Sequence, residues 1–266
     1  MHTRVVTPAA LQRDPLAIFN FHVAGPKIRI RNIGVRGAKE PELTELRTVV
    51  RDLVALEYSR RSLHTFVEHV LKPVYLKHGY LKATFSDPQA TVVKKPSDEN
   101  LVDVTIDILP GKQYMWAGLQ WSGATVFPIE TLNQFIHLRS GHPANIIRFE
   151  LELMDIGELY IRRGYVASDI VAVPQIDDNN SMVRYQVRIK EGTVYRVGRL
   201  QIEGLNSRRT AQVSEKLKLR SGDVYDQRYF DTESILRNWS FGWRVNIELT
   251  RNDEEKIVDI MLRFQK

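Results

Sequence analysis

Several features are scarce in this sequence. It contains no cysteine, which excludes a disulfide scaffold and a cysteine-ligated zinc site. It has no uninterrupted apolar run of the roughly 18 residues that a membrane-spanning helix requires. Charge is nearly balanced, with 38 Lys and Arg against 32 Asp and Glu, so the net charge of +6 falls short of the basic stripe typical of nucleic-acid binders. We therefore expect no nucleic-acid partner.

The sequence does contain enough apolar residues to build buried cores. Of its 266 residues, 43% are hydrophobic and 26% are charged, a composition typical of globular proteins and not of disordered ones. At roughly 100 to 150 residues per domain, this length suggests two domains, or three if the domains are small. Internal repetition favours three.

Short motifs recur along the chain at a nearly constant offset. Leu138–Gly141 reads Leu-Arg-Ser-Gly and recurs as Leu219–Gly222, 81 residues later. Pro110–Tyr114 and Glu191–Tyr195 are related by the same offset, and the similar segment Ala24–Ile28 lies 86 residues upstream of the first of them. Fixed offsets of this kind indicate tandem structural units.

Each repeat contains strand patterns at both of its ends. Apolar side chains alternate after Ile28, Tyr114 and Tyr195, and the three patterns share one break of parity that a β-bulge would produce. Two segments with helical periodicity follow, and two strands then close the repeat. Alternation is clearest in the last strand of each repeat, at 102–108, 183–189 and 258–264. The order is therefore β-α-α-β-β.

Glycines predict where the helices end. Gly141 and Gly222 are placed to end the first helix of the second and third repeats in the left-handed conformation. Ala55 occupies the equivalent place in the first repeat, so we expect that helix to end differently. Gly79 and Gly164 are placed to end the second helices in the same way.

The fold class is therefore predicted to be α+β, with three tandem units that each pack two helices on a three-stranded mixed sheet. We place the units at 27–111, 112–192 and 193–266. Segment 1–26 is expected to be the tail of a preceding, truncated unit, because 16–24 resembles a last strand. The chain is thus expected to be part of a longer array.

No pattern predicts catalysis, a cofactor or a metal site. His64 and His69 are five residues apart on the expected second helix, so they do not form the i, i+4 pair that a helical metal site uses. The acidic segment Asp177–Asn180 lacks the glycine and distant glutamate of a calcium loop, and a hairpin turn explains it better. We expect a protein that is not an enzyme.

The repeat resembles the polypeptide-transport-associated (POTRA) domain over nearly all of residues 27–266. The resemblance rests on the β-α-α-β-β order and on recurring tyrosine and glycine positions. The stop before the second strand reads Tyr75-x-x-x-Gly79-Tyr80 and Tyr160-x-x-x-Gly164-Tyr165, and the junction between repeats reads Pro110-Gly111-x-x-Tyr114 and Glu191-Gly192-x-x-Tyr195. The resemblance implies tandem periplasmic modules that precede an outer-membrane β-barrel in the same chain. Proteins of this kind include the central subunit of the barrel-assembly machinery and its relatives in translocation and assembly or two-partner secretion.

The resemblance also implies what these units bind. The second strand of each unit would be an exposed edge, and unfolded outer-membrane or secreted polypeptides would add to it as a further strand; periplasmic accessory proteins are also implied as partners. The edge strands are expected at about 82–85, 166–173 and 244–250. The expected contact residues are Lys82, Ala83, Thr84, Phe85, Val166, Ser168, Ile170, Val171, Val173, Val245, Ile247 and Leu249.

A second class of function is open at this point. The repeats would then be a structural spacer or docking scaffold whose contacts are with fixed partner proteins. Arginines that alternate outward, such as Arg184 and Arg188, are expected to be solvated or to contact acidic polypeptide. Sensitivity to proline along an edge strand would favour polypeptide binding, whereas sensitivity to discrete charged or aromatic side chains would favour the scaffold.

Overall fold

The structure is a computed structural model, and it describes residues 27–39, 42–93, 100–217, 219–227 and 244–265. The expected tail at 1–26 lies outside these residues, as does 228–243, where the second helix of the third repeat was expected.

The chain divides into two compact units. One contains the first repeat apart from residues 76–81, and the other contains residues 76–81 together with the second and third repeats. The repeat boundaries drawn from the sequence stay a prediction.

The first repeat has its last strand in the middle of the sheet. This last strand pairs in parallel with the first strand of the repeat and antiparallel with the two short strands that precede it. The elements are β1 (Arg29–Arg36), α1 (Glu42–Arg51), α2 (Arg60–Phe66), a π turn (Val67–Leu71), α3 (Lys72–Lys77), β2 (Thr84–Phe85), β3 (Gln89–Val92) and β4 (Leu101–Leu109).

The second helix of this repeat widens just before Pro73. The N–H of Lys72 donates to the carbonyl oxygen of Val67, five residues earlier, as in a π turn. Proline has no N–H, and its ring clashes with the carbonyl four residues before it. The π turn shifts the hydrogen-bond register at this point, so the helix continues to Lys77.

The second and third repeats use the same topology. In each of these sheets the last strand of the repeat lies in the middle, where it pairs in parallel with the first strand and antiparallel with the second. The elements are β5 (Met115–Ser122), α4 (Ile129–Asn133), α5 (Ile146–Ile161), β6 (Asp169–Asp177), β7 (Met182–Lys190), β8 (Arg196–Glu203), α6 (Ser207–Leu217), β9 (Arg244–Asn252) and β10 (Ile257–Gln265). Three mixed sheets of an α+β protein are therefore confirmed.

The shared break of parity in the first strand is a bulge, as predicted. The register between the first and last strands shifts at Ile30/Asn32 in the first repeat and at Trp116/Leu119 in the second. Beyond the shift, alternate side chains again face the core. In the second repeat Trp116 is 2% exposed, and its ring stacks on Tyr185 with centroids 5.6 Å apart.

Gly141 and Gly222 do not end helices, so that prediction was wrong. Helix α4 already ends at Asn133. Both glycines do have positive φ angles, of 79° and 91°, but they lie in a turn beside the first strand. The N–H of Gly141 donates to the carbonyl oxygen of Trp116 at 2.9 Å, and that of Gly222 to Val197 at 2.8 Å. The turn therefore covers part of the outer edge of the first strand.

Ala55 takes the same place in the first repeat. Its φ is 72°, which is the left-handed region. Its N–H donates to the carbonyl oxygen of Ile30 at 2.8 Å, and the N–H of Ile30 donates to Leu56 at 3.0 Å. The first repeat thus forms the same turn without a glycine.

The turn that ends α5 also belongs to the core of the third repeat. Gly164 is left-handed, with φ 86°, as predicted. Its carbonyl oxygen accepts a hydrogen bond from the N–H of Tyr195 at 2.7 Å. A Cβ atom on Gly164 would lie only 2.8 Å from Cγ1 of Val224. On either side of the turn, Ile161 and Val166 pack against the third core.

The turn at Gly79 makes the matching contacts with the second repeat. Gly79 has φ 84°, and its carbonyl oxygen accepts from the N–H of Tyr114 at 2.8 Å. Leu76 and Leu81 pack against the core that contains Tyr114. In both cases the glycine lets the backbone turn closely enough to dock on the following strand.

Candidate functional site

The outer strand formed by the second half of each repeat carries the candidate site. Within the described residues, β6 pairs only with β7, and β9 pairs only with β10. By contrast, the start of each first strand is covered by backbone bonds, such as those from Gly141 and Gly222. A strand that is paired along one side alone has a second side whose N–H and C=O groups can pair with another extended chain.

The predicted edge of the first repeat is short and interrupted. Thr84 and Phe85 form β2, as expected, but Lys82 and Ala83 precede it. Those two assignments were wrong, because the turn that follows the helix stop extends through Lys82. Pro88 then separates β2 from β3. This edge cannot present a continuous ladder.

The edge of the second repeat begins later than predicted. Val166 and Ser168 precede β6 and are not edge residues. Val166 packs against the third repeat's core, and the N–H of Ser168 donates to the carbonyl oxygen of Tyr165. Both residues therefore belong to the turn between α5 and β6, in which the spacing of apolar residues is the same as at the start of a strand.

The remaining predicted residues of β6 lie on opposite faces of the sheet. Ile170 pairs with Ile189 and packs on the core. Val171 and Val173 point to the outer face, where they are 40% and 44% exposed. The sequence placed these three residues in one group, and only the pairing separates them.

Pro174 interrupts the free edge of β6, a feature that the sequence analysis missed although the residue is visible there. It lies within the strand and pairs with Tyr185. Because proline has no N–H, it is tolerated in an edge strand where that position faces away from the neighbouring strand. N–H groups alternate in direction along a strand, so those of Ile170 and Ala172 also face the free edge.

Strand β9 has an edge without this interruption. Its nine residues contain no proline. Val245, Ile247 and Leu249 are all in this strand, and the first two pack against the core of the third repeat. Leu249 pairs with Ile260 and is 44% exposed. It occupies the same position in its sheet as Pro174, which pairs with Tyr185, occupies in the second repeat.

Glu191 directly follows β7 in the second repeat, and its hydrogen bonds fix the end of that strand. Its carboxylate accepts hydrogen bonds from the N–H groups of Thr125 at 2.7 Å and Val126 at 2.8 Å, and from the hydroxyl of Tyr160 at 3.0 Å. Burial alone would raise the pKa of Glu191, but together these hydrogen bonds lower it below its usual value. Burial, and then the hydrogen bond to this carboxylate, raise the pKa of the Tyr160 hydroxyl.

The described residues contain no cluster of three or more side chains suited to holding a metal ion. None of the helices in the described ranges is long and apolar enough to cross a membrane.

Known proteins with similar sequences share one description. The chain is 23% identical over 215 residues to a Treponema pallidum protein named as an outer membrane protein assembly factor, covering 80% of this chain and 25% of that protein. It is 24% identical over 265 residues to the outer membrane protein assembly factor BamA of Nitratidesulfovibrio vulgaris, covering 91% of this chain and 32% of the relative. The chain therefore spans about a quarter to a third of the length of these relatives. No family model matches it.

The fold is also found in a solved structure. The crystal structure of Haemophilus influenzae BamA POTRA3-5 superposes with a TM-score of 0.67 at 18% identity, and the match covers 90% of this chain and 96% of that one. That structure holds POTRA domains 3 to 5 of BamA, and this chain contains three mixed sheets. The chain therefore has the fold of tandem POTRA domains, and its sequence is similar to those of outer membrane protein assembly factors.

Proposed function

We propose that this chain is the periplasmic receptor segment of an outer-membrane protein assembly factor. It binds unfolded outer-membrane polypeptides before their insertion and performs no catalytic step. The similarity to proteins named as assembly factors supports the role, and the similarity to POTRA domains supports the periplasmic location. In the longer protein, an outer-membrane barrel in the same chain would hold the segment at the membrane.

The single observation that carries the mechanism is that β9 contains no proline and, among the residues that the structure describes, pairs with β10 alone. An extended client that pairs with this strand would add a fourth strand to the sheet. Backbone pairing accepts many sequences, which suits a receptor for varied clients. The exposed side chain of Leu249 would add a preference for an apolar residue at the adjacent client position.

The experiment removes one backbone donor from this edge. Leu249→Pro places a proline in the register position that Pro174 occupies naturally, so the sheet should still form. We expect it to weaken binding of a labelled peptide from an outer-membrane barrel strand by about 5-fold or more, since one hydrogen bond is worth about 1 kcal/mol. Fluorescence anisotropy with the whole chain measures this.

Two matched variants separate the backbone from the side chain. Leu249→Ala keeps the N–H and should change the affinity by less than about 3-fold. Pro174→Ala restores a donor on β6 and should leave binding equal or tighter. If Leu249→Pro retains its circular dichroism spectrum and binds the peptide as well as the unmodified chain, edge pairing at β9 is wrong and a docking scaffold is the better function.

A further inference from the structure

On the outer face of the first and third sheets, arginine–carboxylate pairs between the first and last strands recur at the same two places, although the strand that carries the arginine can differ. In the first repeat Arg36 lies opposite Asp107 in the pairing of first and last strands, with Nε 2.6 Å from Oδ1. In the third repeat Arg263 lies opposite Glu203, and its Nε is 3.1 Å from Oε2 of that residue. Nη1 of Arg263 is also 2.7 Å from Oε1 of Glu248. At this position both repeats pair the arginine with a carboxylate of the same sheet.

A second pair recurs at the bulge of the first strand. Arg31 in the first repeat forms two side-chain hydrogen bonds with Asp103. Arg199 in the third repeat bonds Asp259 through its backbone N–H and through its guanidinium, at 2.7 and 2.9 Å. Each such pair neutralises both charges on the sheet surface.

The second repeat has an arginine at both places but no carboxylate, and at the bulge Arg184 stands on the last strand where the other repeats have Asp103 and Asp259. Arg188 lies opposite Ser122, the place of Glu203 in the third repeat. Arg184 lies opposite the bulge at Ala117 and Gly118, where neither side chain carries a charge. Within the described ranges, no carboxylate lies within 4.0 Å of either guanidinium. This face therefore carries two uncompensated positive charges.

The surface between the two arginines is apolar and amide-rich. At roughly 3.3 Å per residue, Arg184 and Arg188 are about 13 Å apart along β7. Val171 lies opposite Arg188, and Val173 lies opposite Gln186. Gln120 lies on the other side of Gln186. We call these six residues the arginine face.

Two acidic residues, Asp177 and Asp169, lie at the two ends of the same strand pair. Asp177, beyond Arg184, accepts hydrogen bonds from the N–H groups of Asn179 and Asn180 in the hairpin turn. Asp169 lies opposite Lys190 at the other end of the strand pair. Neither carboxylate takes the place of the missing partners.

We propose that the arginine face binds an acidic protein segment: an extended stretch with two carboxylates four residues apart and an apolar residue between them. Guanidinium groups match carboxylates in bidentate geometry, the exposed valines suit the intervening side chain, and the glutamine amides can bond the backbone of the segment. A membrane surface fits less well, because membrane-binding segments carry clusters of roughly four to eight basic residues, whereas this face has two. The proposal does not rest on edge pairing, since it uses the sheet face and not the edge of β9.

The test uses a synthetic peptide with two glutamates four residues apart, a valine midway and threonines elsewhere. Added to the whole chain at low salt, it should shift backbone amide NMR signals of the arginine face in a saturable way. The same peptide with glutamines in place of the glutamates should not.

Ser122→Glu is the decisive variant, because it supplies the pairing that Glu203 gives Arg263 in the third repeat. It should keep the fold and weaken peptide binding by about 10-fold, by occupying Arg188 from within the sheet. Arg188→Gln should weaken it similarly. Gln201→Glu adds the same charge to the exposed outer face of the third repeat and should change the affinity by less than about 2-fold.

The proposal is overturned by any of three results: no saturable shifts, shifts centred elsewhere, or equal binding to the Ser122→Glu chain. It is also overturned if phosphatidylglycerol vesicles bind the chain through Arg184 and Arg188 while the peptide does not, since the face would then be a membrane surface. Leu249→Pro should leave peptide binding here unchanged, so failure of edge pairing and failure of this proposal can be told apart.

Discussion

The N–H of Ala55 donates to the carbonyl oxygen of Ile30 at 2.8 Å, and this bond holds Ala55 in the left-handed region with φ 72°. The equivalent turns of the other repeats have glycine at this place. A residue with a Cβ atom is strained there by about 1 kcal/mol. The first repeat therefore keeps a hydrogen bond at the cost of local backbone strain.

Ala55→Gly should stabilise the first repeat slightly, by up to about 0.5 kcal/mol, because the strain it relieves somewhat exceeds the conformational entropy that glycine adds to the unfolded chain. Hydrogen exchange of amides in β1 and β4 would measure this within the whole chain. Ala211→Gly is the control: it lies on the exposed face of α6, where glycine should destabilise by about 1 kcal/mol. If Ala55→Gly destabilises the first repeat, the conclusion that the backbone of Ala55 is strained is wrong.

Gly164→Ala should destabilise the third repeat and the end of α5 by about 2 to 4 kcal/mol. Part of the loss comes from the left-handed backbone, and the rest from a Cβ atom 2.8 Å from Val224 and 3.1 Å from the carbonyl oxygen of Tyr195. Urea denaturation monitored by tryptophan fluorescence and by exchange of β8 amides would measure it.

Gly141→Ala isolates the backbone part of that loss. Gly141 also has a positive φ, but a Cβ atom there would meet no atom within 4 Å. Its cost should therefore be only about 1 kcal/mol. Equal effects of the two substitutions would mean that close packing at Gly164 contributes nothing.

The stability that Glu191 provides should depend on pH. Its pKa is lower in the folded chain than in the unfolded one, so its contribution is present above the unfolded value of about 4.3 and is lost as the pH falls through the folded value. Glu191→Gln should therefore cost about 1 kcal/mol at neutral pH, and the difference should shrink below about pH 4. Denaturation at a series of pH values measures it.

Glu130→Gln is the matched control for that series, because Glu130 is exposed and lies in the first turn of α4. Its effect should be below about 0.5 kcal/mol at every pH. A Glu191→Gln effect that stays constant from neutral pH to below about pH 4 would show that the carboxylate charge is not what matters.

Much of the fold could be predicted because strand parity and repetition are local properties of the sequence. The inward positions of the last strands and the bulge after Trp116 both follow from alternation. The role of Gly141 did not follow, because a left-handed glycine after a helix looks the same whether it caps that helix or bonds to a strand distant in sequence.

The candidate site was harder to predict, since it depends on which strands are neighbours. The helix stop at Val166 has the apolar spacing of a strand, so the edge was placed too early. Pairing also decides that Arg188 meets a serine while Arg263 meets a glutamate. Pro174 was the one signal readable in advance, because proline inside an alternating segment marks an edge that is partly blocked.

The turns at Gly79 and Gly164 determine where this protein can be cut. A fragment that starts at Lys112 would lack Leu76 and Leu81, so the apolar residues of the second core that they contact would be exposed to solvent. A fragment that starts at Thr193 would lose Ile161 and Val166 in the same way. The second and third cores therefore each include residues that lie before the start of their own repeat in the sequence.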